Sequence, residues 1–190
     1  MSRAYRISVK ESQTQRIRGS DQIKTQLELL EILPPEATAE ILRNVLAERG
    51  FRAAEDGTMI RQAAGIRVIV DPCDGSVTVT SEREEAITIE SRQQATLFDD
   101  VGPSEETVRE QLRQRLHQEL QQKSAIELQR LQTEATERLE AALDELQPEL
   151  ARIMNQVTRE ALKQKAAQLG TIKELTEDPE TGNLTIKLDV

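Results

Sequence analysis

The longest regular pattern of apolar positions lies in the second half of the chain. From Leu128 the apolar residues are spaced by three, four and four positions, and this cycle repeats every eleven residues as far as Ala161. Such spacing places the side chains on one face of an α-helix, and it is typical of a nearly straight or slightly right-handed coil. The pattern predicts one long amphipathic helix over residues 104–170. Its stripe consists of Leu128, Leu131, Ala135, Leu139, Ala142, Leu146, Leu150, Ile153, Val157 and Ala161.

Local signals mark the two ends of this helix and one interruption. Ser104 can accept a hydrogen bond from the first turn, and Gly170 can end the last turn. Pro148 lacks the N–H that a helix interior needs, so it predicts either a kink or the turn of a helical hairpin. We favour a kinked, continuous helix, because the eleven-residue phase passes through Pro148 unbroken.

A helix of this length needs a surface against which to bury its apolar stripe. At about 1.5 Å per residue it is about 100 Å long, and we expect the first part of the chain to be too small to cover it. The stripe therefore predicts contact with another protein or with a second copy, unless the helix folds back on its own second half. The helix residues predicted to make this contact are Leu128, Leu131, Leu139, Leu146, Leu150, Ile153 and Val157.

Shorter patterns in the first hundred residues predict several strands. Apolar and polar residues alternate over residues 4–10, and Ile87 with Ile89 indicates one more strand. Residues 23–33 fit either a helix or a strand. We favour a strand, because the two prolines at 34–35 end the segment abruptly.

A helix and two turns complete this first part. Residues 36–49 predict a helix, with Pro35 in its first turn and Gly50 after its end. Asp-Gly sequences at residues 56–57 and 74–75 predict the turns of two hairpins. Together with the strands, they indicate a small α+β head domain.

Residues 171–190 predict a β-hairpin with its turn at 178–183. An isolated two-stranded hairpin is marginally stable in water. We therefore expect this hairpin to add to the sheet of the head or to a partner's sheet, through Leu184, Ile186 and Leu188.

The predicted fold class is thus α+β. It consists of a mixed head over residues 1–98, a linker over 99–103, a long coiled-coil-like helix over 104–170 and a hairpin over 171–190.

Composition excludes several classes of function. The net charge of -9 argues against general binding to nucleic acid, which needs lysine and arginine to neutralise phosphates. The start of the chain is locally basic, which we interpret as a solvated edge, and Glu82, Glu84 and Glu85 predict a charged turn. With neither a membrane-spanning apolar segment nor a secretory signal, we expect a cytoplasmic protein without a membrane partner. The basic residues are Arg3, Arg6, Lys10, Arg16 and Arg18.

The residues that could carry chemistry are few. Cys73 is the only cysteine and His117 the only histidine, whereas zinc sites usually draw three or four such ligands. We predict no metal site, no cofactor and no catalytic residue. Carboxylates gather near the linker, where capping and solvation account for them, and an enzyme using Asp99 and Asp100 is the least favoured hypothesis. These carboxylates are Asp99, Asp100, Glu105 and Glu106.

Three segments of the chain are similar to a known group of proteins. They are Met-Ser-Arg-Ala-Tyr-Arg-Ile-Ser-Val at residues 1–9, Leu-Glu-Ile-Leu-Pro-Pro at 30–35, and the tail at 171–188. They resemble small accessory proteins of bacterial ternary systems, and the tail also resembles the ending of a small family of cyanobacteria and plastids. The first resemblance implies an adaptor in a stress or conflict response, beside an FtsH-like or MoxR-like AAA+ ATPase and a von Willebrand A-domain protein. It carries over no active-site residue.

These observations lead to two hypotheses of different classes. The first is a non-enzymatic adaptor or scaffold in a multiprotein assembly, with an AAA+ ATPase as a possible partner. The alternative is a structural protein that self-assembles through a coiled coil. Oligomerisation of the purified chain without any partner would favour the self-assembling coiled coil over the adaptor.

Overall fold

The computed structural model describes residues 4–98, 104–177 and 184–189. Within these ranges the chain is α+β, as predicted, with an antiparallel sheet, one short and one long helix, and a C-terminal hairpin. The elements in chain order are β1 (Ala4–Gln26), α1 (Pro35–Glu48), β2 (Arg52–Ala53), β3 (Met59–Ala63), β4 (Ile66–Val70), β5 (Ser76–Phe98), α2 (Glu105–Leu169), β6 (Thr171–Glu177) and β7 (Leu184–Asp189).

The first five strands form one sheet in the order β1-β5-β4-β3-β2, while β6 and β7 form a second sheet of two strands. Neighbours from β2 to β5 pair antiparallel. The ion pairs between β1 and β5 indicate that these two strands are also antiparallel, since Lys10 contacts Glu90 whereas Arg18 contacts Glu82. Residue numbers therefore fall along β5 as they rise along β1.

The local signals for α1 and for the two turns are confirmed. Pro35 is the first residue of α1, and Gly50 follows its C-terminal cap. Gly57 and Gly75 have φ angles of 85° and 74°, which a residue with a side chain rarely adopts. They lie in the β2–β3 and β4–β5 turns. The buried face of α1 includes Ile41, Leu42, Val45 and Leu46.

β1 and β5 are much longer than the sequence predicted. β1 continues to Gln26, and β5 includes both Ile87 and Ile89 and runs to Phe98. Every odd-numbered residue of β5 from 77 to 97 is buried or half-buried, although Ser81, Ser91 and others are polar. Because inward-facing positions are polar, apolar alternation fades along the strand and the sequence signal is lost.

The predicted strand over residues 23–33 is only partly correct. β1 ends at Gln26, and residues 27–34 form neither strand nor helix. The Leu29 N–H donates to the Leu27 carbonyl and the Ile32 N–H to the Leu30 carbonyl, at 3.0 and 2.9 Å. These bonds to the second residue back bend the chain away from the extended path of a strand.

α2 is a single helix that passes through Pro148, so the helical-hairpin alternative is excluded. Ser104 caps it as predicted, since its Oγ accepts a hydrogen bond of 3.2 Å from the Thr107 N–H. Pro148 and Asp144 are both exposed. The proline leaves the Asp144 carbonyl without its usual N–H donor, on an exposed side of the helix.

The chain divides into two compact units, each built from two separate segments. We call them the ribbon unit, Met1–Asp21 with Glu82–Glu137, and the sheet unit, Gln22–Ser81 with Arg138–Val190. Each unit takes part of the predicted head and part of α2. The predicted linker, residues 99–103, lies outside the described residues.

Candidate interaction surfaces

In the ribbon unit, β1 and β5 contribute to the apolar clusters that bury one face of α2. Leu131 is fully buried in the larger cluster, whose other members are Ile17, Ile87, Ile89, Leu116 and Leu120. A second cluster contains Ile7, Leu97, Val108 and Leu112. Both strands thus supply the partner surface that this half of the helix needs.

In the sheet unit, α2 shares one apolar core with α1 and the sheet. Five of the predicted interaction residues are buried there among residues such as Leu46 and Val70. Those five are Leu139, Leu146, Leu150, Ile153 and Val157.

The expectation that the chain is too small to cover its own helix is therefore wrong. β1 and β5 are 23 residues each, far longer than the short strands on which that expectation depended. Of the seven helix residues singled out in the sequence, only Leu128 is exposed, at 45%. That these seven residues contact another protein remains a prediction. Leu128 is the one whose side chain is accessible for such a contact.

The described residues also leave a few other large apolar side chains exposed. They lie on α2, on β1 and in the segment that follows β1, rather than in one continuous patch along the helix. They are Ile23, Leu30, Ile126, Leu162 and Leu169.

Exposed charged residues of β1 form ion pairs with exposed glutamates of β5. The glutamates predicted to form a charged turn lie instead within β5, and the basic residues of β1 lie opposite them. The ion pairs are Lys10–Glu90 at 2.7 Å, Arg16–Glu84 at 3.7 Å and Arg18–Glu82 at 2.5 Å. Glu85 faces the other way and contacts Arg130 of α2 at 3.1 Å. Exposed pairs of this kind contribute about 0–1 kcal/mol each, so they fix register more than stability.

A polar cluster joins β5 to α2 in the ribbon unit. Glu119 accepts hydrogen bonds from Lys123, at 2.8 Å, and from the Gln93 amide, at 2.6 Å. Hydrogen bonding, by Lys123 most strongly and then by Ser91 and Gln93, lowers the pKa of Glu119 to about 2. The carboxylate therefore stays ionised far into the acid range.

At Gly19 the backbone of β1 lies directly against the backbone of α2. A Cβ atom at this position would be 2.5 Å from the carbonyl carbon and oxygen of Leu131. Next to it, the Gln132 amide donates to the Ser20 carbonyl at 2.7 Å. This contact was not predicted from the sequence, although a glycine inside a strand is a known signal of close backbone approach.

Arg61 and Glu149 join β3 to α2 in the sheet unit. The guanidinium donates two hydrogen bonds to the carboxylate, at 2.6 and 2.7 Å, and lies 4.6 Å from the centre of the Phe51 ring. Hydrogen bonding by Arg61 lowers the pKa of Glu149 below its ordinary value of 4.5. No local sequence signal indicates this pair, because its members are 88 positions apart.

The predicted C-terminal hairpin is present as β6 and β7, with its turn outside the described residues. Residue 172 pairs with 188 and residue 175 with 186, and a register shift lies between Ile172 and Glu174. Leu184, Ile186 and Leu188 alternate along β7, and the Ile186 side chain is half-buried. Among the described residues, β6 and β7 pair only with each other, so the hairpin does not extend the sheet of the head.

A groove of about 880 Å³ lies between the segment after β1 and the β4–β5 turn. Its two sides are joined where the Leu27 N–H donates to the Gly75 carbonyl at 2.8 Å. Pro35 and Thr38 of α1 also line it. We call it the 27–33 groove. Five of the seven residues at 27–33 are leucine or isoleucine, which is the signal that could have drawn attention to it.

The described residues contain no group of three or more side chains suited to hold a metal ion. Cys73 is exposed, with an Arg43 nitrogen 3.6 Å from its sulfur. His117 is exposed on α2, where its Nε2 is 3.0 Å from the amide nitrogen of Gln121. Asp99 and Asp100 lie outside the described residues. No described helix combines the length and the hydropathy that crossing a membrane requires.

The described residues thus form an α+β protein with a long helix packed against strands of the same chain. A separate hairpin and a groove with both polar and apolar lining are its candidate interaction surfaces. A family model for the FtsH ternary system domain X5 matches residues 1–190, the whole chain. The chain belongs to this family and is thus a component of an FtsH ternary system, which confirms the resemblance found in the sequence. No curated protein and no solved structure matches it.

Proposed function

We propose that the chain is a non-enzymatic adaptor, which joins other proteins of its FtsH ternary system. Membership of the family supports an accessory role in a multiprotein assembly. An AAA+ ATPase of the FtsH type is the partner we expect first.

The observation that carries this proposal is the hairpin of β6 and β7. Two strands alone are marginally stable in water, and a third strand or a packed face normally completes such a unit. The Ile186 side chain is half-buried, whereas those of Thr185 and Lys187 on the other face are exposed. In the sequence, leucines at 184 and 188 continue the two-residue period of Ile186. We infer that a partner protein packs on the Ile186 face or adds a strand to it.

The alternative of a self-assembling coiled coil loses its main argument. A coiled coil needs an apolar seam that faces another helix. The seam of α2 is buried within the chain, from Leu131 to Val157.

Two neighbouring substitutions on β7 test the adaptor proposal. Sedimentation of the purified full chain with the FtsH-type ATPase of its system should show a complex. Ile186→Lys places a charge on the apolar face and should weaken binding at least tenfold, whereas Thr185→Lys places it on the opposite face and should change binding less than twofold. Unchanged melting temperatures would establish that both variants fold.

Failure of the ATPase and of every other component of the system to bind the wild-type chain would contradict the proposal. Equal effects of the two lysine substitutions would contradict the role of the hairpin face.

A further inference from the structure

The 27–33 groove combines an apolar floor with an exposed leucine. Leu27 and Leu33 are buried, and Leu29 and Ile32 pack against the core of the sheet unit. Leu30 is 61% exposed and lines the groove. Four of the five aliphatic residues in this segment are thus engaged by the fold, and the fifth remains available to a ligand.

The charges that line the groove all have the same sign. Glu28, Glu31 and Asp74 belong to its lining, which includes no lysine or arginine from the described part of the chain. Hydrogen bonds from Ser76 lower the pKa of Asp74 below its ordinary value of 3.8 and so favour its charged form. Arg43 is near Cys73 at the rim and offsets part of this charge. A ligand with positive charge is therefore favoured over a neutral or acidic one.

The main chain of the same segment is only partly hydrogen-bonded to other backbone groups. Among the described residues, the N–H groups of Glu28, Leu30 and Glu31 donate to no backbone acceptor. Extended peptides are commonly recognised through such groups, with side-chain pockets that select the residues between them. The volume of about 880 Å³ lies within the range of specific ligand sites.

We propose that the 27–33 groove binds an extended segment of a partner protein in which lysine or arginine residues flank an apolar side chain. The apolar side chain packs against Leu30, and the basic side chains face Glu28, Glu31 and Asp74. This inference rests on the proposed adaptor role and assigns it a second contact surface, separate from the hairpin.

A library of random seven-residue peptides, selected on the full-length protein, tests the proposed specificity. We expect the selected peptides to contain lysine or arginine on either side of an aliphatic residue. Selection on the Leu30→Ser variant and on the Glu28→Gln, Glu31→Gln double variant should lose this enrichment. The control is Glu55→Gln, which removes an exposed carboxylate outside the groove and should leave the selected sequences unchanged.

Cys73 reports on occupancy, because it lines the groove and is the only cysteine. A saturating selected peptide should slow its reaction with a soluble disulfide reagent at least fivefold, and a peptide with glutamate in place of each basic residue should not. Lack of enrichment, enrichment of acidic peptides, or equal protection by both peptides would overturn the proposal. Protection that rises with protein concentration alone would also overturn it, because a second copy would then occupy the groove.

Failure of these peptide experiments would leave the hairpin test unaffected, since that test measures assembly with the ATPase through β7. The adaptor role itself would be contradicted only if the wild-type chain also bound no component of its system.

Discussion

At the scale of single residues, Gly19 sets how closely β1 approaches α2. Alanine normally suits a strand better than glycine, because it loses less backbone freedom on folding. Here its Cβ would meet the Leu131 carbonyl at 2.5 Å, so the strand and helix would have to separate. Steric pressure and backbone propensity therefore predict opposite effects of the same substitution.

We expect Gly19→Ala to lower the free energy of unfolding by about 1–3 kcal/mol, the usual cost of an overpacked contact. Urea unfolding measures this change. Ser12→Ala, at an exposed position of the same strand, should change it by less than about 0.5 kcal/mol. Stabilisation by Gly19→Ala would mean that the two backbones are not in contact.

The Arg61–Glu149 pair should make the stability of the protein depend on pH. Arg61 lowers the pKa of Glu149 below 4.5, so folding favours the ionised carboxylate. The stabilisation is complete above pH 4.5 and is lost as the pH falls through the lowered pKa. Glu149→Gln should cost about 1–2 kcal/mol at pH 7, since the pair is partly buried and doubly hydrogen-bonded.

Urea unfolding of wild type and Glu149→Gln between pH 7 and pH 3 measures this effect. The difference between them should shrink as the pH falls below 4.5. Glu145→Gln, at an exposed position of the same helix, serves as the control. A difference that is the same at pH 7 and pH 3 would contradict the role of the ionised pair.

At the scale of elements, burial separates two neighbouring leucines of α2. Leu131 is fully buried, whereas Leu128 is 45% exposed. Leu131→Ala should destabilise the protein by about 2–5 kcal/mol through loss of packing and creation of a cavity. Leu128→Ala should cost less than about 1 kcal/mol.

Measuring the free energy of unfolding at two protein concentrations distinguishes packing within one chain from packing between copies. If β1 and β5 cover Leu131, the cost of its substitution does not depend on concentration. A cost that grows with protein concentration would show that another copy covers the helix instead.

Pro148 provides a further test at the element scale. An interior proline destabilises a helix by about 3 kcal/mol relative to alanine, and Pro148 is exposed, so its removal leaves no cavity. We expect Pro148→Ala to raise the free energy of unfolding by about 1–3 kcal/mol. Gln147→Ala, at the exposed neighbouring position, should change it by less than about 0.5 kcal/mol. Destabilisation by Pro148→Ala would mean that packing of α2 requires the proline.

Elements with local signals could be predicted from the sequence. Pro35 and Gly50 bracket α1, Gly75 marks a turn, and the eleven-residue repeat marks α2. The full lengths of β1 and β5 could not be predicted, because the inward-facing residues of their central parts include polar ones such as Gln15 and Ser91. Such positions become interior only when a helix packs over them.

The candidate surfaces show the same limit of local information. Alternation along β7 identified Ile186 and its neighbours, whereas the 27–33 groove depends on residues that approach from the β4–β5 turn. The sequence correctly indicated an apolar stripe along α2. Most of that stripe is buried by strands and α1 of the same chain.

At the scale of the whole molecule, we assign different roles to the apolar residues of α2 and to the two candidate interaction surfaces. The stripe of α2 stabilises the fold, whereas the hairpin face of β7 and the 27–33 groove are proposed to contact partners of the FtsH ternary system. Binding should therefore change the accessibility of the hairpin and the groove and leave α2 largely as it is.

Hydrogen–deuterium exchange of the full chain, alone and bound to the FtsH-type ATPase of its system, distinguishes these roles. We predict that binding slows exchange in β6, β7 and residues 27–33, while amides of α2 from Leu131 to Val157 are already protected in the free chain. Rapid exchange along α2 in the free chain, with protection of that helix only in the complex, would contradict the account.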